Sequence, residues 1–300
     1  MRRSFTDDLR GIITVLNTPF SADGTIDAAG LERHVAYALG AGVSGFLVPA
    51  LASEVGKLSE AERELVVTTA LDVCDGKCPV IGGASAGCLE ERVRWTRRLT
   101  ELGCDGVLVA VPYENERQYV DDVHAVATAG PGFLMVQDWD ASGYGVPVPL
   151  IARLFEEVAC FRCLKIEVVP AGRKYSEVLA ATGGLLHVSG GWAVTQMIEG
   201  LDRGVHAFMP TGLHRTYTAI YRRYCAGDRE GARRLFERLL PVLAFSNQHL
   251  DISIHFFKRL LHAQGIYSTP LCREPILPFD EHHARVAEEM IARAMELEAC

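Results

Sequence analysis

The sequence has no apolar run long enough to cross a bilayer, which takes about 18 residues. It also has no long run of Lys and Arg, and its formal net charge is -8. Phosphate backbones need basic patches, so a nucleic-acid partner is not expected. Arg2 and Arg3 are too few to form a basic arm. Asp7, Asp8 and Arg10 interrupt any apolar signal-peptide core near the start. No membrane partner is expected, and the location to expect is the cytoplasm. The nine cysteines are odd in number and irregularly spaced, which points to reduced thiols rather than a disulfide framework. Cys160 and Cys163 form a C-x-x-C, but the nearest second pair is Cys74 and Cys78, and Cys163 sits inside the apolar run CLKIEVV. Small buried hydrophobes explain them better than a zinc site.

What is present is a large apolar fraction, 49% of 300 residues, ample for one extended core. Short apolar runs at 12–16, 45–49, 79–83, 106–111, 132–137, 163–168, 185–189 and 205–210 alternate with helical patterns. Helices are expected over 27–40, 59–74, 89–102, 116–128, 149–158, 173–181, 193–203 and 215–226, with Asp27 and the S-x-x-E at Ser59 to Glu62 as start signals. The strands are continuously apolar rather than alternating, as parallel strands covered by helices are. Repetition to eight units favours closure into a (β/α)8 TIM barrel over residues 1–226. Residues 227–300 read as a C-terminal helical extension packed on the barrel, with helices at 229–243, 253–264 and 280–297.

In such barrels, reactive groups sit at the C-terminal ends of strands and in the loops after them. Lys165 stands out there, because an ammonium inside CLKIEVV loses its hydration. Burial lowers a lysine's proton affinity and frees the amine to attack a carbonyl. A lysine held by a buried carboxylate, with Glu167 on the same strand face, explains the pattern as well. No H-x-H or paired carboxylate and histidine set appears at strand ends, so neither metal nor cofactor is expected.

Three segments carry a family resemblance. TPF-x-x-x-G-x-I-D runs from Thr18 to Asp27, GFLVPALASEV-x-x-LS-x-x-ER from Gly45 to Arg63, and K-I-E begins at Lys165. Together and in order, they resemble the dihydrodipicolinate synthase and N-acetylneuraminate lyase superfamily of class I aldolases and dehydratases. The resemblance covers nearly the whole chain, helical tail included. It implies that Lys165 forms a Schiff base with a small-molecule 2-oxo acid, and that the chain assembles as a homotetramer. It places substrate contacts at Ala52, Ser53, Glu54, Gln137, Asp138, Ser142, Gly190 and Met209. Glu54 is expected to orient its loop more than to transfer protons. Tyr113, Val136 and Trp192 are expected to wall the pocket.

The sequence also departs from that pattern. The usual G-T-T-G-E is replaced by Ala50-Leu51-Ala52-Ser53-Glu54, leaving the Ala52 and Ser53 backbone N–H groups to hold a carboxylate. Alignment on Ser142 and Gly143 sets Val136 where the family's proton-relay tyrosine stands, and Ala141 near its carboxylate-clamping arginine. V-Q-D-x-x-A-S-G with L-K-I-E is similar to the 2-keto-3-deoxy-L-arabonate dehydratase branch. Asp138, Asp140 and His214 are positional candidates for proton transfer. The leading expectation is dehydration of a 2-keto-3-deoxy sugar acid. A pyruvate-dependent aldolase acting with a less polar aldehyde, and a catalytically silent 2-oxo-acid-binding paralogue, stay open.

Overall fold

The computed structural model describes residues 9–299, apart from the side chains of Trp192 and Ala193. Arg2, Arg3, Asp7 and Asp8 lie outside the described residues. Eight parallel strands follow one another in chain order and close into a barrel. They are β1 (Gly11–Val15), β2 (Gly45–Val48), β3 (Val80–Gly83), β4 (Gly106–Ala110), β5 (Leu134–Asp140), β6 (Phe161–Val168), β7 (His187–Gly190) and β8 (Ala207–Phe208). The helices between them are α1 (Ala28–Ala41), α2 (Glu60–Cys74), α3 (Leu89–Leu102), α4 (Glu116–Ala127), α5 (Val148–Glu157), α6 (Ala171–Ala181) and α7 (Met197–Asp202). Then come α8 (His214–Cys225), α9 (Arg229–Ser246), α10 (Leu250–Ala263) and α11 (Glu281–Glu298). The start signals act as expected. Asp27 Oδ1 accepts from the Gly30 N–H at 2.8 Å, and Ser59 and Glu62 exchange backbone-to-side-chain bonds as a capping box. Among the described residues, no helix is long and apolar enough to cross a membrane.

The chain gathers into two compact units. One takes the chain up to Ile13 together with Cys78–Met209. Its register aligns Gln137 with Lys165 and Lys165 with Ser189, while Val136 aligns with Leu164 and Leu164 with Val188. Side chains alternate along a strand. Met135, Gln137, Cys163, Lys165 and Ser189 therefore share one face, and Val136, Asp138, Leu164 and Ile166 the other. The second unit takes Thr14–Lys77 and the chain from Pro210 onward, and in it α8 packs on α1. Glu298 on α11 closes this unit at the start of α8. Its carboxylate accepts from the Thr216 N–H at 2.8 Å and from the hydroxyls of Thr216 and Tyr37. An anion at a helix N-terminus is well placed, since the first N–H groups lack helical partners.

Buried histidines give each unit a pH dependence. In the first, His187 and His206 stack at 5.1 Å, and burial pulls them down to about 3 and about 4. In the second, burial pulls His214 down to about 4 and holds His34 well below the ordinary imidazole value. Above pH 6.5 neither folded nor unfolded chain binds these protons. Below it, the unfolded chain takes up protons that the folded chain refuses, so stability drops as pH falls from 6.5 toward the folded values. His187, His206 and His214 then each cost about 2 kcal/mol at pH 5, from roughly 1.4 kcal/mol per pH unit, and His34 acts in the same direction. The expected result is a markedly lower urea midpoint at pH 5.0 than at pH 7.5. Superimposable urea curves at the two pH values would contradict this account.

Candidate active site

Lys165 lies midway along β6, and its side chain is only 9% exposed. Its Nζ is 3.1 Å from Glu167 Oε2, two residues further along the same strand face. Gln137 on β5 donates from Nε2 to the same Glu167 oxygen at 2.5 Å. The neighbouring position on β7 is Ser189, whose hydroxyl reaches Met209 Sδ at 3.4 Å. A buried amine, a carboxylate able to take its proton, and an amide fixing that carboxylate thus stand together on adjacent strands. Gly191 closes over this group. A Cβ there would come within 2.1 Å of Glu167 Oε1 and 2.5 Å of Lys165 Cε. Only glycine allows that approach, so Gly191→Ala is expected to slow adduct formation on Lys165 by about 100-fold, as misplacement by an ångström does. Stopped-flow mixing with pyruvate followed by reduction reads this rate. An unchanged rate in a folded variant would exclude the packing argument.

The other sequence candidates fall in several places. Gln137, rather than Val136, stands beside Lys165. Val136 is on the opposite strand face and 1% exposed, so it does not wall a pocket that Lys165 faces. Asp138 shares that outer face. It forms a buried ion pair with Lys174 of α6 and accepts from the Val146 N–H at 3.0 Å. Lys174 also donates to the carbonyls of Tyr144 and Val146. Burial raises the Asp138 carboxyl and lowers the Lys174 amine, opposed by their mutual attraction. With its carboxylate committed there, Asp138 does not fit a proton-transfer role. Asp140 and Ser142 form a turn, with the Ser142 N–H and hydroxyl both donating to Asp140 Oδ1. Gly190 turns the wrong way for a ligand beside Lys165, since a Cβ there would meet the Tyr175 hydroxyl of α6 at 2.8 Å. Tyr113 rests edge-on against Tyr119 and lines a cavity of about 160 Å³ together with Gln137 and Trp139. Trp192 lies in a short 3-10 turn, and its side chain is outside the described residues.

The loop after β2 belongs to the second unit. Ser53 is fully buried, and its hydroxyl donates to the Leu16 carbonyl. The Ser53 N–H donates to the Ala50 carbonyl at 2.9 Å, so it is not free for a carboxylate. The Ala52 carbonyl accepts from Asn17 Nδ2 at 2.6 Å. Glu54 sits in the left-handed region at φ 57°, and its buried carboxylate binds Lys57, Lys258 and the Arg273 N–H. Both oxygens are taken, so Glu54 fastens the loop to the C-terminal helices rather than touching a ligand. His214 is also fully occupied. Tyr267 donates to the Asn17 carbonyl, so its oxygen accepts from His34 Nδ1–H. His34 Nε2 then accepts from His214 Nε2–H at 2.9 Å, and His214 Nδ1 from the Thr14 hydroxyl. Every bond in this chain is made with neutral rings, and His214 keeps no lone pair or proton for a substrate.

The sequence pattern passed over two features. Glu167 read only as an ion-pair partner, although its spacing from Lys165 already put it on the same face. Lys174 and Lys258 went unnoticed because a helical lysine beside apolar neighbours ordinarily extends its ammonium to water.

Barrel, buried strand lysine and adjoining carboxylate together define a (β/α)8 enzyme of the lyase class. The chain belongs to the dihydrodipicolinate synthetase family, a family of Schiff-base lyases whose profile matches residues 8–294. It is 26% identical to the L-2-keto-3-deoxyarabonate dehydratase of Azospirillum brasilense, over 99% of this chain and 97% of that protein. It is 28% identical to the 4-hydroxy-tetrahydrodipicolinate synthase of Stenotrophomonas maltophilia, over 97% and 98%. The crystal structure of dihydrodipicolinate synthase from Rhodopseudomonas palustris superposes with a TM-score of 0.88 at 22% identity, over 95% of this chain and 98% of that one.

Proposed function

We propose that Lys165 condenses with the ketone of a 2-oxo acid and that the enzyme dehydrates a 2-keto-3-deoxy sugar acid. The observation that carries this reading is the buried Lys165–Glu167 pair at 3.1 Å, with Gln137 holding the carboxylate in place. Glu167 takes the ammonium proton, the free amine adds to C2, and the C2 oxygen leaves as water carrying that proton, which gives the iminium and restores the carboxylate. The iminium nitrogen withdraws electrons from C3. A carboxylate already beside that nitrogen is within reach of the C3 proton, which it removes to give an enamine. The enamine electrons then expel the 4-hydroxyl, which leaves as water with the proton Glu167 has gained. Hydrolysis of the remaining imine returns the amine and a dehydrated 2-oxo acid. The full-length similarity to a dehydratase supports this outcome.

A second reading has support from the similarity to a synthase of almost equal coverage. The same enamine can attack an aldehyde, or be left behind when C3–C4 breaks. Incubation with 2-keto-3-deoxy sugar acids separates the two. Dehydration yields a product lighter by one water and no pyruvate, whereas cleavage releases pyruvate. Release of neither, with no borohydride-reduced pyruvate adduct on the protein, would leave a silent binding paralogue.

A further inference from the structure

Strand β5 lies on β6 in a register that its own backbone pairing leaves open to a slip. Leu134 aligns with Phe161 but Met135 aligns with Cys163, so β6 carries one extra residue at the start of the pair. A bulge of that kind bends the ladder, and a shift of one residue beyond it would exchange the two faces of β5. Pairing with β4 runs as far as Ala110 opposite Gln137, and β5 then continues through Asp138, Trp139 and Asp140 against β6. Gln137 therefore stands where the strand passes from two paired neighbours to one.

One residue further on, on the outer face, Asp138 meets Lys174. Lys174 belongs to α6, which follows β6 after only Val169 and Pro170. Its ammonium thus holds Asp138 from a point fixed to β6. The same ammonium donates to the Val146 carbonyl at 2.7 Å and to the Tyr144 carbonyl, and Asp138 accepts from the Val146 N–H at 3.0 Å. The centre of the Tyr144 ring is 5.1 Å from that nitrogen, and its hydroxyl donates to Glu177 of α6 at 2.7 Å. The two charged side chains are 0% and 1% exposed. An ion pair so deeply buried gains little stability over apolar residues of the same volume, because both charges lose their hydration. What it supplies is direction. Apolar side chains pack in several registers, whereas this ammonium finds its carboxylate in one.

We propose that Lys174 is a positioning residue: its grip on Asp138 fixes the register of β5 against β6 and so aims the Gln137 amide at Glu167. The link is short. Asp138 and Gln137 are consecutive and on opposite faces, and Gln137 Nε2 donates to the Glu167 oxygen that Lys165 Nζ meets at 3.1 Å. Slipped by one residue, β5 would set Val136 or Asp138 opposite Lys165, and neither brings an amide N–H to the carboxylate. The inference rests on the reading of Lys165 and Glu167 as the reacting pair, and it adds the residue that keeps their neighbour Gln137 in place.

Lys174→Met alone strands a buried carboxylate and can fail to fold. The test therefore pairs it with Asp138→Asn, which removes the second charge and keeps an oxygen for the Val146 N–H. Crystal structures of the unaltered enzyme and of this double variant are compared first. The Gln137–Glu167 bond is expected to be broken in the variant, and a bond retained in the same register overturns the proposal. Exchange of pyruvate methyl protons in D2O is then followed by NMR. The double variant is expected to lose about 100-fold, the scale of an ångström's misplacement. Gln137→Met should lose as much, and adding the other two substitutions to it should cost less than about 3-fold more, because residues that act through one contact are not additive. A general loosening of the fold would instead multiply the losses, and that result also overturns the proposal. Absence of both exchange and a borohydride-trapped adduct in the unaltered enzyme counts against Schiff-base chemistry alone, while the crystallographic comparison still judges the register.

Discussion

Replacement of Lys165 by alanine is expected to abolish the borohydride-trapped adduct and lower turnover by at least about 10⁴-fold, because it removes the amine proposed to form the imine. The enzyme has other buried lysines, and their surroundings make this a sharp test. Lys174 and Lys258 are both fully buried, yet each ammonium is committed: Lys174 to Asp138 and two carbonyls, Lys258 to Glu54 and the Leu271 carbonyl. Lys258 also lies 4.2 Å from the centre of the Phe20 ring. Burial lowers both amines, opposed by their carboxylate partners, but the carboxylate and carbonyl contacts hold each nitrogen in place, so neither is offered to a ketone. Among the described residues, Lys165 differs in meeting a carboxylate without also being held by backbone carbonyls. Lys165→Arg is expected to be as inactive as the alanine variant, since a guanidinium keeps its charge and is not a nucleophile at neutral pH. Peptide mapping by mass spectrometry after reduction with pyruvate reads both variants. An adduct that persists at Lys174 or Lys258 with turnover intact would sink the assignment.

Much of the fold was legible because barrel strands announce themselves. With helices covering their outer face they become continuously apolar, and the runs at 45–49, 79–83 and 106–111 fall on β2, β3 and β4, each one residue longer than its strand. The helix expected at 89–102 is α3 itself. β5 was the exception. Its apolar run stops at Gln137, but the strand continues to Asp140, paired with β6 through Ile166, Glu167 and Val168. Polar residues in a strand look like loop when their partners are distant in sequence. Here the partner of Asp138 is Lys174, 36 positions away on α6. The eighth helix, expected from 215, begins at His214, and its anionic cap, Glu298, comes from the far end of the chain.

The site was legible where a residue broke its local pattern and illegible where position along a strand had to be fixed to one residue. Lys165 was visible because every neighbour was apolar. Alignment in the following loop pointed to Val136, whereas Gln137 stands beside Lys165, and a shift of one residue sends a side chain to the other face of the sheet. Asp138 was named for proton transfer on position alone, and Glu167 was seen only as an ion-pair partner of Lys165. His214 was suggested by its place after β8. Nothing local to it announced that Thr14 and His34 would take both ring nitrogens.

Glu167→Gln is expected to separate imine formation from turnover. The amide is nearly the same size and can still meet Gln137, so packing around β6 should survive. It cannot accept a proton from the ammonium or from C3. Adduct formation with pyruvate should therefore slow but reach completion, because water can remove the ammonium proton on a longer timescale. Turnover should fall by about 10³-fold, within the range that a positioned general base supplies. Exchange of the pyruvate methyl protons in D2O, followed by NMR, isolates the C3 step. It needs the imine and a base but no leaving group, and so does not depend on the identity of the substrate tail. The variant should form the adduct and fail to exchange. Exchange at the unaltered rate would mean that another group removes the C3 proton and that the carboxylate at 3.1 Å serves only to hold the lysine.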